Sequence, residues 1–368
     1  MAEAALKTDL IVPITGRLLT VPDGPIFNLQ RADEADYEIG EFRAWAGYKN
    51  LGSDAATNGL AHFQHVISFA GTDQAGRTGV HAHFAHAHIV IPTSGRGVFS
   101  YDGITTEAVP GAVIVQHGGT IHDQFDYSYA PAPDAQTRAT PQSIEPPASG
   151  APQRSFSFLE LFVPLRFANV EIVPPKQVTE EDQRAAWDHP YHAPGARYFL
   201  QSADDADAAY RPVAGQPDME ARDCETWTAT GGLVAMWIVR PASATTQVGA
   251  PQAQPVALSV AGEVGGVEIF YMINGSAKVR RADGKGVDLQ TGDTLTCSQG
   301  AVGAPFDASP GMRLIRLFIA ARAQALRERT PDEIARLEAL GPAIITRREV
   351  RPAGDTRPVN YLHDGEAR

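Results

Sequence analysis

His81-Ala82-His83-Phe84-Ala85-His86-Ala87-His88-Ile89-Val90-Ile91-Pro92-Thr93-Ser94-Gly95 places four histidines within eight residues, then enters an apolar run that a glycine closes. The run is β-branched and bounded by turn residues, so it reads as a strand. On a strand, His81 and His83 are two apart and share a face. His88 lies five residues beyond His83, an odd separation that reverses the face on an unbroken strand. A bend or bulge is needed before all three can converge, and the interior of a closed barrel offers such convergence.

A second stretch, Pro110-Gly111-Ala112-Val113-Ile114-Val115-Gln116-His117-Gly118-Gly119-Thr120-Ile121-His122, sets another histidine after a glycine-rich turn and at the start of a further strand. The two stretches read as one site. Several imidazoles in one cavity suit divalent iron, zinc, copper or nickel and can leave coordination positions open. His86 either takes the place of His88 as a ligand or lines the cavity. Tyr101, Phe99, Gln116, Gln124, Phe125 and Glu160 lie on strands of the same region and are candidate pocket residues. His117 reads as a turn residue, and His62 and His65 face either cavity or solvent, outside the ligand set.

Composition sets the frame for that site. A chain of 368 residues with 43% hydrophobic side chains can fill two cores. Its 34 glycines and 27 prolines favour strands joined by many turns. A formal charge of −12 with no Lys/Arg-rich run argues against nucleic acid or an anionic membrane as partner. Cys224 and Cys297 are too few for a disulfide framework and read as buried small hydrophobes. No basic segment leads into an apolar core at the start, and nowhere do about 18 apolar residues run together, so a cytoplasmic protein is expected.

Short β-rich runs fill the first part of the chain, and a Pro/Ala-rich polar stretch over 130–153 reads as a long loop. In SFSFLELFVPLRF, Phe156, Phe158, Glu160 and Phe162 take one face of a strand, while Leu159, Leu161 and Val163 take the other. Both faces should therefore be covered. Residues 169–222 read as an irregular linker. From near 223 to 325 the strand rhythm returns through LVAMWIVRP, GVEIFYMINGSAKVRRADG and GMRLIRLFIA, an internal duplication at low identity. Thr330-Pro331-Asp332-Glu333 carries helix-start signals, so 326–368 is expected to hold a helix and tail.

These residues resemble the two sequence motifs of the cupin superfamily. His81, His83 and Gly95 match the first, with His88 where that family normally has a glutamate; Pro110, Gly111, Gly119 and His122 match the second. The resemblance spans about 60–165 and recurs over about 226–320. There Glu268 and Gly275 fit the pattern, but no H-x-H precedes them and Gly303 stands at the histidine position. It implies an all-β protein of two double-stranded β-helix (jelly-roll) barrels. The metal would sit in the first barrel (1–168), on His81, His83, His88 and His122, and none in the second, whose role would be structural.

Imidazole in place of the usual carboxylate leaves a divalent ion its full charge, which favours an anionic, bidentate substrate. Histidine-rich iron cupins include dioxygenases that cleave carbon–carbon bonds of diketones, gentisate-like aromatics and hydroxyaryl ketones. The resemblance therefore implies an Fe(II) dioxygenase acting with O2 on a small molecule, as a homo-oligomer (dimer or tetramer). A zinc-, manganese- or nickel-bearing cupin acting as isomerase, hydrolase or lyase, and a non-catalytic binding bicupin, stay open beside it.

Overall fold

The structure is a computed structural model that describes residues 24–39, 46–70, 78, 80–83, 85, 87–101, 104–116, 120–127, 130–131, 155–163, 169–172, 198–201, 210–230, 232–242, 254–260 and 265–320. Of the loop expected over 130–153, Ala130–Pro131 form a short strand and the rest lies outside these residues, as do the helix and tail expected over 326–368.

The first part of the chain forms β1 (Phe27–Gln30), β2 (Glu38–Ile39), β3 (Ala46–Asn50), a short helix α1 (Ser53–Ala56), β4 (His62–Ala70), β5 (Val80–His83), β6 (Ala87–Ser94) and β7 (Gly97–Tyr101). It continues through β8 (Ile104–Ala108), β9 (Val113–Gln116), β10 (Ile121–Tyr127), β11 (Ala130–Pro131), β12 (Ser157–Val163), β13 (Asn169–Ile172) and β14 (Tyr198–Gln201). The second part holds β15 (Arg211–Val213), β16 (Gln216–Asp223), helix α2 (Thr226–Ala229), β17 (Val234–Pro241), β18 (Gly266–Asn274), β19 (Ser276–Arg281), β20 (Gly286–Gln290), β21 (Thr294–Ser298), β22 (Val302–Phe306) and β23 (Arg313–Ala320).

Strand order identifies each half as a jelly roll. In the first, β4-β12-β6-β9 form one sheet and β5-β10-β7-β8 face it, the interleaved order of two Greek keys. The second repeats it, with β17-β23-β18-β21 in one sheet and β22-β19-β20 in the other. The chain thus has the all-β, two-barrel architecture expected from the sequence. Gly95 and Gly275 follow equivalent strands, β6 and β18, in the same left-handed conformation, at φ 67° and 76°, where a side chain would be strained.

The duplication also includes the approach to each barrel. β2-β3-α1-β4 is repeated as β15-β16-α2-β17, and Thr57 and Thr230 each close their helix by donating to the carbonyl of Ser53 or Thr226. The described part of 169–222, read from the sequence as irregular, therefore holds four strands, the last ending at Asp223. β15 and β16 belong to the second unit, β13 pairs with β5, and β14 pairs with β9. β13, β14 and β15 are only three or four residues long, too short for a period of two to stand out, and tertiary pairing decides them. The N-terminal β1 leaves its own half to pair with β21. β14 and β1 thus cover the corresponding edge strand of each barrel, β9 and β21, which would otherwise present open hydrogen-bonding groups.

β12 shows why both its faces are apolar. Phe156 and Phe158 pack inside the first barrel with Val66, Val90, Phe99 and Ile114. Leu159, Leu161 and Val163 face outward into a second core that the two barrels share, with Phe63, Ile89 and Val115 on one side and Met236, Ile269 and Leu317 on the other. Phe63 meets Tyr271 edge-on across this junction, with centroids 5.7 Å apart. The buried Arg222 donates to the Gly111 carbonyl at 2.8 Å, a further tie between the halves.

Candidate metal centre

Two rows of ladder partners, one in each sheet of the first barrel, carry the candidate residues. On the larger sheet the ladder runs Gln116, His88, Phe162, His62 across β9, β6, β12 and β4. On the smaller it runs Glu171, His81, His122, Tyr101 across β13, β5, β10 and β7. The chain changes sheets between His83, the last residue of β5, and Ala87, the first of β6. This crossing, rather than a bulge on one strand, removes the parity conflict between His83 and His88.

His83, His88 and His122 each offer a ligand atom, and these atoms all lie within 4.8 Å of one another. Metal–nitrogen bonds of about 2.1 Å would draw them to roughly 3 Å apart, a movement within reach of imidazole rotation. The His83 ring stands 4.8 Å from both the His88 and His122 rings, at 88° and 54°. His88 and His122 are each 3% exposed. Phe162 stacks on His88 at 4.2 Å and 7° and meets His83 edge-on at 5.2 Å, so one phenyl ring fixes two imidazole planes. Tyr101 lies along His122 at 5.8 Å and 27°.

The hydrogen bonds set the tautomers. Nδ1 of His122 lies 3.0 Å from the Thr120 carbonyl, which only accepts, so the proton is on Nδ1 and the lone pair on Nε2. Nε2 of His88 lies 2.6 Å from Oε1 of Glu160, while its buried Nδ1 has no hydrogen-bond partner among the described residues. A buried imidazole nitrogen with no partner beside two other imidazoles, its other nitrogen tied to a carboxylate, is the arrangement of a metal-ligating histidine. These residues fit a divalent ion.

Glu160 alters the charge expected from the sequence. Ligand atoms that are all imidazole suggested a full double charge; instead a buried carboxylate sits one shell out, on β12 rather than at the glutamate position on β6. Burial by itself would raise the Glu160 carboxyl. The hydrogen bonds from His88 and Gln64, with the charges that His88 and His62 carry whenever their rings are protonated, outweigh burial and hold it below its usual value.

Among the other sequence candidates, Gln116 is buried and reaches the Tyr101 hydroxyl at 3.5 Å, the outer limit of a hydrogen bond. Phe99 stacks on Tyr101 at 5.6 Å, and the buried Gln124 lies opposite Phe99 in the ladder. For His81 and Phe125 the structure gives backbone register alone, opposite His122 and Val98 respectively. His86 and His117 lie outside the described residues. Reasoning from sequence missed Phe162, Gln64 and Thr120 as parts of the site. For Phe162 a signal existed, since strand alternation sets it on the face of Glu160.

The second barrel carries a related pair at the equivalent place. Glu268 occupies the position of His88, opposite Phe318 as His88 is opposite Phe162, and Arg316 occupies that of Glu160. The Arg316 guanidinium binds Oε1 of Glu268 through Nε at 3.1 Å and through Nη2, and the Gly300 amide donates to Oε2 at 3.0 Å. This carboxylate is committed to a cation of the protein itself.

No protein-family model matches the chain, and no curated protein matches its sequence. Solved structures do align over most of its length. A mutant salicylate 1,2-dioxygenase from Pseudoaminobacter salicylatoxidans in complex with gentisate is 10% identical, with 89% of this chain and 87% of that one covered and a TM-score of 0.47. A mutant oxalate decarboxylase of B. subtilis is 12% identical, covering 82% and 80%, at 0.43. Procruciferin, an 11S globulin from Brassica napus, is 9% identical, covering 86% and 88%, at 0.43. Likeness at this level does not choose among activities.

Proposed function

We propose that the first barrel is a mononuclear metal centre of an oxygen-dependent enzyme. Fe(II) would be held by His83, His88 and His122 with His81 as fourth ligand, and the reaction would cleave a carbon–carbon bond of a small aromatic, diketone or hydroxyketone. The observation that carries this reading is the buried His88 Nδ1, partnerless beside two other imidazoles, while Nε2 is tied to Glu160. Iron, when bound, would supply the one-electron chemistry that dioxygen needs. The protein's part is to orient the three imidazoles and to keep water out.

Phe162 and Tyr101 flank the ligand rings, so the surroundings of the metal are aromatic, which supports an aromatic or conjugated substrate. Glu160 compensates one of the two metal charges from outside the ligand set, which leaves a net positive site for an enolate or phenolate. The second barrel acts structurally, through the shared core and the β1 strand, and the protein works as a homo-oligomer.

The test is anaerobic purification with elemental analysis of the wild type and of His122→Ala. Oxygen uptake is then measured against catechols, gentisate, 1,3-diketones and hydroxyaryl ketones. Near-stoichiometric iron, lost in the variant, with uptake on a panel member is the expected result. Zinc or manganese without uptake would replace the oxygenase with non-redox catalysis, and a wild type that takes up no metal under any loading would refute the centre.

A further inference from the structure

We infer that Gln64 and His62 are positioning residues that act through Glu160 to hold His88 in the orientation and tautomer that turn its Nδ1 lone pair toward His83 and His122. The inference rests on the metal reading above and extends it to two residues outside the proposed ligand set. They are joined to His88 by a continuous chain. Nε2 of His88 lies 2.6 Å from Oε1 of Glu160, Nε2 of Gln64 lies 2.6 Å from Oε2 of Glu160, and Nε2 of His62 lies 2.9 Å from Oε1 of Gln64. Asp54, on α1, has Oδ2 at 3.8 Å from Nδ1 of His62.

The polarity of this chain is fixed by its central member. An ionised carboxylate only accepts, so both His88 and Gln64 must donate to Glu160. Gln64 then presents its amide NH2 to Glu160 and its carbonyl to His62, and His62 must donate from Nε2. At the inner end the proton on His88 is thereby held at Nε2 and the lone pair at Nδ1. Were the Gln64 amide turned over, two acceptors would face each other at Glu160 and two donors at His62. The backbone locks the arrangement, because Glu160 lies directly opposite Gln64 in the β12–β4 ladder and His62 directly opposite Phe162, the ring stacked on His88.

The experiment uses the metal-free chain labelled with 15N-histidine, with ring tautomers read from long-range proton–nitrogen correlations above pH 8, and Co(II) titration of the same protein followed by its d–d absorption. In the wild type, His88 is expected as the Nε2–H tautomer. Gln64→Met keeps the length and removes both hydrogen bonds. It should populate the Nδ1–H form, weaken Co(II) binding about tenfold, within the range usual for outer-shell partners, and shift the d–d band. The His62 ring also stacks on Phe162, at 6.4 Å and 29°; His62→Phe keeps that contact and should move all three readouts in the same direction by less, which serves if Gln64→Met folds poorly. A merely structural role predicts a lower melting temperature with tautomer, affinity and spectrum unchanged, and that result overturns the inference. A wild type that fails to bind Co(II) but shows the tautomer change in Gln64→Met would defeat the metal reading while sustaining the chain.

Discussion

Lowering the pH from 7 to 5 should cost this fold about 2 kcal/mol through His65 alone. His65 is 1% exposed, and burial, followed by the nearby positive charge of Lys49, pushes its pKa from 6.5 down to about 3. Its neighbours demand the neutral ring. Burial holds Tyr37 above its ordinary value, so its phenol stays protonated and donates to Nδ1 at 2.5 Å. Nε2 faces the Thr93 hydroxyl at 3.4 Å, which passes its proton to Ser157; Ser157 donates to Ser94, and Ser94 to the Ser155 carbonyl. Protonating Nδ1 would set two donors against each other at the head of this chain.

Because the folded value is depressed, the unfolded chain binds a proton that the folded one refuses. The contribution to stability is complete above pH 6.5 and is lost progressively as pH falls toward 3. Linkage with these two values leaves the contribution nearly whole at pH 7 and about 2 kcal/mol smaller at pH 5. With a urea dependence of about 3 kcal/mol per molar, the midpoint should move by roughly 0.6 M. His65→Gln still accepts from Tyr37 but cannot titrate. The assay is urea unfolding of both proteins at pH 7 and pH 5, read as the difference between their midpoint shifts. Equal shifts would refute the reasoning.

Glu160→Gln keeps an acceptor for His88 but removes the charge and should weaken metal binding at least tenfold, with Glu160→Leu weaker still, by competition against a chromophoric chelator. Arg316→Met strands the buried Glu268 and should cost about 3–5 kcal/mol in chemical denaturation, whereas adding Glu268→Leu should restore most of that loss. Burial pushes the Cys224 and Cys297 thiols up to about 11 and about 12, so at pH 8 a thiol reagent should titrate neither in the native protein and both in denaturant.

Much of the barrel was legible because strand alternation is a local property. The two faces of β12, with Phe156, Phe158, Glu160 and Phe162 on one side and Leu159, Leu161 and Val163 on the other, follow from a period of two, and the structure supplies a core for each. The separation of His81 from His83 is local in the same sense. So was the second repeat, where hydrophobic strand rhythm survived although the chemistry of Glu268 and Arg316 differs from that of His88 and Glu160.

The sequence by itself determined the strand faces, the duplication and the clustering of histidines near two glycine turns, since each depends on neighbours along the chain. Tertiary structure decided the rest. Which acid stands beside His88 depends on how β6 and β12 register, 72 residues apart, and period-two alternation does not specify that register. The strands β1 and β14 are four residues long and gain their identity from the edges they cover, β21 and β9, so no pattern within them could announce it. Local periodicity states which way a side chain points; only the closed barrel, by bringing two sheets face to face, states what it meets.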